Sequence, residues 1–147
     1  MTLGKEFPVA IEKDLGEGTF KKGLQALKAT DRSLIRLENS RLCHGSADID
    51  SCLAAQQPQA ARWDYVIAHN QKLHFVEVHP AHTSEVSQIK KKKDWLTAWL
   101  ANAQLGTLDA KRRFHWVASG KIAITRNSKQ ARAAAQMGLM PVRQLAI

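Results

Sequence analysis

Trp63-Asp64-Tyr65-Val66-Ile67-Ala68 and Leu73-His74-Phe75-Val76-Glu77-Val78-His79 are two runs rich in β-branched and aromatic residues, separated by the polar His69-Asn70-Gln71-Lys72. Such a pattern predicts a β-hairpin, with Pro80 ending its second strand. A two- or four-residue loop centred between Asn70 and Gln71 pairs Ala68 with Leu73, Val66 with Phe75 and Asp64 with Glu77. Strand residues alternate faces, so the two carboxylates then point the same way from adjacent strands. Opposed side chains have Cβ atoms about 4.5–5.5 Å apart, where like charges repel. An oxygen-seeking cation such as Mg²⁺ or Mn²⁺ held between them would remove that cost. A loop of three or five residues would shift the register and separate the faces. An exposed sheet edge would let water screen the pair instead.

The flanking segments predict helices around a sheet. Lys21–Ala29 reads as a helix, with Phe20, Leu24 and Leu27 at helical spacing, and Ser33–Glu38 as a short strand. Asp50 is placed to cap a brief helix through Ala55 that Pro58 stops. Thr83 or Ser84 caps a long helix to about Gln104, with an apolar stripe of Val86, Ile89, Leu96, Leu100 and Ala103. A second hairpin is expected from Phe114–Ala118 and Ile122–Thr125, turning at Ser119-Gly120-Lys121. Asn127 or Ser128 caps an alanine-rich helix to Met137 that Gly138 stops, and Val142–Ile147 reads as a last strand. The expectation is one α/β (α+β) domain over residues 1–147: a mixed β-sheet with a central hairpin, flanked by helices.

Asp64, twelve intervening residues, then Glu77-Val78-His79, on antiparallel strands followed by a long helix, resembles the metal-binding motif of the PD-(D/E)XK nuclease superfamily. The predicted order from the helix at 21–29 to the strand at 114–118 resembles that family's α-β-β-β-α-β, restriction-endonuclease-like core. The resemblance implies Mg²⁺ or Mn²⁺ held by Asp64, Glu77 and the Val78 carbonyl, for hydrolysis of a phosphodiester. Two departures stand out. Trp63 replaces the proline before Asp64, and His79 occupies the position of the lysine that aligns the attacking water. A neutral imidazole can orient a water or ligate a metal, but it is no permanent cation. In the superfamily the lysine is sometimes supplied by the following helix, and Lys93, on the apolar stripe, is the candidate here. It either snorkels to the rim or points inward. Asp48 and Asp50 are candidates for a third carboxylate, with turn formation and helix capping as their alternative roles.

Charge points toward a polyanionic partner. Lysine plus arginine number 22 against 13 aspartates and glutamates, a formal charge of +9, which attracts nucleic acid at long range. The basic residues gather at Lys90 to Lys93, at Lys111, Arg112 and Arg113, and at Arg126 and Lys129. These are the candidate contacts to a nucleic-acid backbone; a solvated basic face is the alternative. Trp95 and Trp99, one turn apart, are core, a base-stacking surface or a homodimer contact. His74, His79 and His82 with Glu85 could form a transition-metal site, but strand alternation sends His74 to the face opposite His79. Cys43 and Cys52 lack C-x-x-C spacing and read as ordinary thiols. No apolar run approaches the roughly 20 residues of a membrane span, so the chain reads as cytoplasmic. Two functions are consistent with these residues: a metal-dependent nuclease, or a catalytically inactive module that binds nucleic acid or protein on the same fold.

Overall fold

In the computed structural model, which describes residues 2–147, the hairpin has the register that the sequence predicts. Strand β3 (Tyr65–His69) pairs antiparallel with β4 (Lys72–His82), placing Val66 opposite Phe75 and Ala68 opposite Leu73. The turn is the two residues Asn70 and Gln71, with φ of 48° and 61°. Consecutive positive φ values mark the primed turn whose twist matches that of the flanking strands.

Two more strands complete a four-stranded sheet of order β2-β3-β4-β5. β2 (Cys43–Asp48) pairs antiparallel with β3, and β5 (Lys111–Ala123) runs parallel to β4. The parallel connection is made by helix α4 (Val86–Leu100), the usual solution for joining parallel neighbours. The fold is therefore mixed α/β, as expected. A separate two-stranded parallel ribbon joins β1 (Ile35–Arg36), which follows the short helix α2 (Ala29–Arg32), to β6 (Leu145–Ala146).

Alternation along the strands divides the interior in two. One face presents Val66, Ala68, Leu73 and Phe75 to helices α1 (Leu3–Leu15), α3 (Ile49–Leu53), α4 and α5 (Lys129–Gln136). The other presents Tyr65, Ile67, Val76 and Val117 to Leu27, Ile35 and Leu145. Tyr65 also fastens the 21–34 segment: its hydroxyl donates to Asp31 Oδ2 at 2.6 Å and accepts from the Lys28 N–H at 3.3 Å.

Several expectations are corrected. The first helix is α1, not 21–29. Residues 21–28 form turns closed by Gln25 N–H to Lys22 O and Leu27 N–H to Leu24 O, and Gly23 has φ 51°. A left-handed residue there interrupts any helix. Asp48, not Asp50, caps α3, accepting from the Ser51 N–H at 2.9 Å. Pro80 does not end β4; the strand continues to His82 across a register shift between His79 and Ala81. The second hairpin does not form. Ser119-Gly120-Lys121 bulges from a continuous β5, because His79 pairs with Ala118 and Ala81 with Ile122. Ser128 caps α5, accepting from the Ala131 N–H, and Gly138, at φ 68°, follows its end, both as predicted.

Candidate functional site

The two carboxylates meet where β3 begins, opposite the middle of β4. Asp64 directly precedes β3, and each carboxylate binds backbone on the other strand. Asp64 Oδ2 accepts from the Val78 N–H and Glu77 Oε1 accepts from the Asp64 N–H, both at 3.0 Å. This reciprocal clasp holds both acids on the face covered by the helices. Glu77 is fully buried. Its other oxygen, Oε2, has no hydrogen-bond partner yet lies 2.8 Å from Lys92 Nζ and 3.4 Å from His79 Nδ1. The Lys92 contact is thus an ion pair off the hydrogen-bonding direction.

Lys92, not Lys93, is the lysine that α4 delivers. Successive helical residues point about 100° apart, so only one of the two can face the carboxylates. Lys92 also donates to the Arg62 carbonyl at 3.1 Å, which fixes its ammonium at the site. Lys93 turns toward α5. It donates to the Met137 carbonyl at 3.1 Å and sits 5.2 Å from the Phe114 ring centroid. A cation at that helix C-terminus is favourable, which explains how an apolar-stripe position accommodates a lysine.

The charges at the site oppose one another. Burial first, and then the neighbouring Glu77, raise the Asp64 carboxyl from 3.8 to about 7; Lys92 and the Val78 N–H offset only part of this. His79 stands between two acids, its Nδ1 facing Glu77 and its Nε2 lying 3.5 Å from Glu85 Oε1. The Asp50 carboxylate is engaged by Arg62 Nε at 2.9 Å, and Asp48 is used by its cap. Neither is free to act as a third metal-binding acid.

Among the described residues no group of three or more histidine, cysteine, aspartate or glutamate side chains is disposed to hold a metal ion. The oxygens brought together here are those of two carboxylates, Asp64 and Glu77. Mg²⁺ usually keeps several of its waters and takes only one or two carboxylates from protein. The buried, hydrogen-bond-free Glu77 Oε2 is the oxygen such an ion would use. The residues fit a hard cation, in competition with Lys92.

The basic candidates do not form one patch. Lys90 and Lys91 are exposed on α4, with Lys90 paired to Asp94 at 2.8 Å. Arg126 and Lys129 are exposed beyond β5, where Thr125 is bonded to Thr83 just after β4. Lys111, Arg112 and Arg113 lie at the hairpin-turn end of the sheet, since Lys111 pairs with Lys72. At about 3.3 Å per strand residue, they are roughly 10–16 Å from the Glu77 level. Trp95 and Trp99 are partly buried and parallel, with centroids 5.8 Å apart; Trp95 Nε1 donates to Gln57. His74 is on the opposite face from His79, paired with His115, so the four-residue transition-metal site does not assemble.

No family model, no curated protein and no solved structure matches this chain. No helix among the described residues is long and apolar enough to cross a membrane.

Proposed function

We propose that the chain is a nuclease-like domain that hydrolyses phosphodiester bonds in nucleic acid with Mg²⁺ or Mn²⁺. The observation that carries this reading is Lys92, drawn from the helix after the hairpin to within 2.8 Å of Glu77, in place of the lysine absent at position 79. The element order supports it only in part: α1, β2, β3, β4, α4 and β5 give an α-β-β-β-α-β succession once the short α2, β1 and α3 are set aside, and the strand expected at 33–38 lies outside the four-stranded sheet.

In this reading Asp64, Glu77 and the Val78 carbonyl hold the cation, which would polarise the phosphate and lower the pKa of a bound water. Lys92 supplies positive charge beside the reacting phosphate, where a fixed cation stabilises charge that develops during displacement. His79, steered by Glu85, takes up or returns the proton of the attacking water at Nδ1. Arg126, Lys129, Lys90 and Lys91 contact the nucleic-acid backbone. Arg112, Lys111 and Arg113 extend that contact only for a substrate long enough to reach the hairpin-turn end.

The test is cleavage of single- and double-stranded DNA and RNA with Mg²⁺ or Mn²⁺, comparing wild type with Asp64→Ala, Glu77→Gln and Lys92→Met. Loss of cleavage in all three, with circular dichroism unchanged, is expected. Equal cleavage in Asp64→Ala and Glu77→Gln would sink the mechanism.

A second reading is favoured by one specific observation: Lys92 already neutralises Glu77. A carboxylate with its own built-in cation suits a module that has kept the fold and lost the metal. Such a module would bind nucleic acid, or a protein partner or a second copy through the Trp95/Trp99 helix, without cutting. Undiminished nucleic-acid binding by wild type and all three variants, with no cleavage by any, would favour it.

A further inference from the structure

On the sheet face opposite Glu77, at the hairpin-turn end, a cavity of about 400 Å³ contains three of the chain's six histidines. His69 and His74 are 5% and 6% exposed, so both are interior side chains rather than surface imidazoles. His69 Nε2 lies 3.1 Å from the Asn39 carbonyl. A carbonyl only accepts, so Nε2 carries that ring's proton. His74 Nδ1 lies 2.9 Å from His115 Nε2. The ring centroids are 5.1 Å apart and the planes differ by 19°, so the rings meet edge to edge, nitrogen toward nitrogen. One ring therefore donates to the other, which requires that at least one of those two nitrogens be unprotonated.

The walls explain why the pair stays neutral. Lys72 and Arg113 line the same cavity. Burial first, then His115, His69, Lys72 and Arg113, hold His74 down to about 4; burial and Arg113 do the same to His115. Neither Lys72 nor Arg113 is ion-paired to a carboxylate among the described residues. Glu38 is the one acidic side chain on the lining, and it is exposed at the rim. Two cations and the His74–His115 pair thus line one space, whose buried side chains carry no negative charge.

We propose that this cavity is a binding site for a small phosphate-class oxyanion, held by Lys72 and Arg113 and by N–H groups of the histidine cluster. The anion supplies negative charge that none of the cavity's buried side chains carries. Its arrival reverses the local potential, so protonation of the His74–His115 pair becomes favourable. Binding and proton uptake are then linked, and each proton taken up raises affinity by up to about tenfold per pH unit as pH falls. Glu38 opposes the anion, and its neutralisation strengthens binding. The site shares Arg113 with the outermost backbone contacts of the nuclease reading, but it lies on the opposite face of β4 from Glu77 and does not rest on that reading.

The experiment is titration of the full chain with inorganic phosphate at constant ionic strength. Binding is followed by the imidazole NMR signals of His74 and His115 at pH 8, 7 and 6. Saturable shifts that strengthen as pH falls are expected. Arg113→Gln combined with Lys72→Gln should weaken binding at least about tenfold; both residues lie at the cavity edge, so the fold is retained. Glu38→Gln should tighten binding, and Glu77→Gln should leave it unchanged. A parallel titration with a nucleoside monophosphate separates the sources: tighter binding assigns the site to a phosphomonoester, equal binding to free phosphate. Equal shifts with chloride, no saturation, or an unaltered affinity in the Arg113/Lys72 double variant would overturn the proposal.

Discussion

Replacing Asp64 by asparagine should stabilise the protein at alkaline pH and leave it nearly unchanged at acid pH. The carboxyl, ordinarily at 3.8, titrates near 7 in the folded chain. At 1.36 kcal/mol per pK unit, that displacement corresponds to roughly 4 kcal/mol. Below pH 4 the group is protonated in both the folded and the unfolded chain, and it contributes no difference. Between pH 4 and pH 7 the folded chain keeps a proton that the unfolded chain has released, so stability falls as pH rises. Above pH 7 the folded state carries an ionised Asp64 among its buried neighbours, and the cost is complete. An asparagine retains a carbonyl oxygen to accept the Val78 N–H and has no charge to desolvate. The assay is urea unfolding of both proteins with EDTA present at pH 3.5, 6 and 8. The variant should match wild type at the lowest pH and exceed it by about 2–4 kcal/mol at pH 8, allowing for residual solvation of the partly exposed carboxylate. A difference constant to within ~0.5 kcal/mol across that range, about the uncertainty of the extrapolation, would refute the reasoning.

Lys92→Met should remove any catalytic activity and destabilise the fold by about 3 kcal/mol, because it leaves the Glu77 carboxylate buried without a cation. Adding Glu77→Gln should recover most of that stability in a double-mutant cycle, whereas Lys93→Met should cost under about 1 kcal/mol and leave activity intact. Gly45→Ala should destabilise by about 3 kcal/mol or more in thermal melts. Gly45 has φ 140°, and an added Cβ would overlap the Phe20 ring and come within 2.6 Å of the Lys21 carbonyl. Gln71→Gly should stabilise by roughly 1 kcal/mol in urea unfolding, because it relieves a non-glycine residue at φ 61° in the hairpin turn.

The hairpin and α4 were legible because local signals agreed there: alternating apolar residues, a polar turn and a long helical stripe. That Asp64 and Glu77 share a face followed from counting residues across a two- or four-residue loop; that each accepts from the other strand's backbone did not. β2 was not legible, because Cys-His-Gly-Ser-Ala-Asp has little strand propensity and forms by pairing with β3. Helix α1 left a readable trace in Leu3, Phe7, Ile11 and Leu15, all buried, although Pro8 interrupts the run of helix-forming residues. Lys92 was missed for a different reason. The apolar stripe singles out Lys93, while the site lies a helical step away, beside Arg62 at the approach to β3. The histidine cavity was hidden by sequence distance, since His74 and His115 meet only once α4 has returned β5 alongside β4.

The two-residue turn at Asn70 and Gln71 has an evolutionary corollary. β4 carries Glu77 on one face and His74 on the other, and the turn sets which is which. Inserting or deleting a single residue there would exchange the faces all along β4 relative to β3, turning Glu77 out of the helix-covered layer and His74 into it. Point substitutions can drift at either site with little consequence for the other. Length changes in the turn would disable both at once, so descendants of this chain should vary in the identity of these two residues long before they vary in their number.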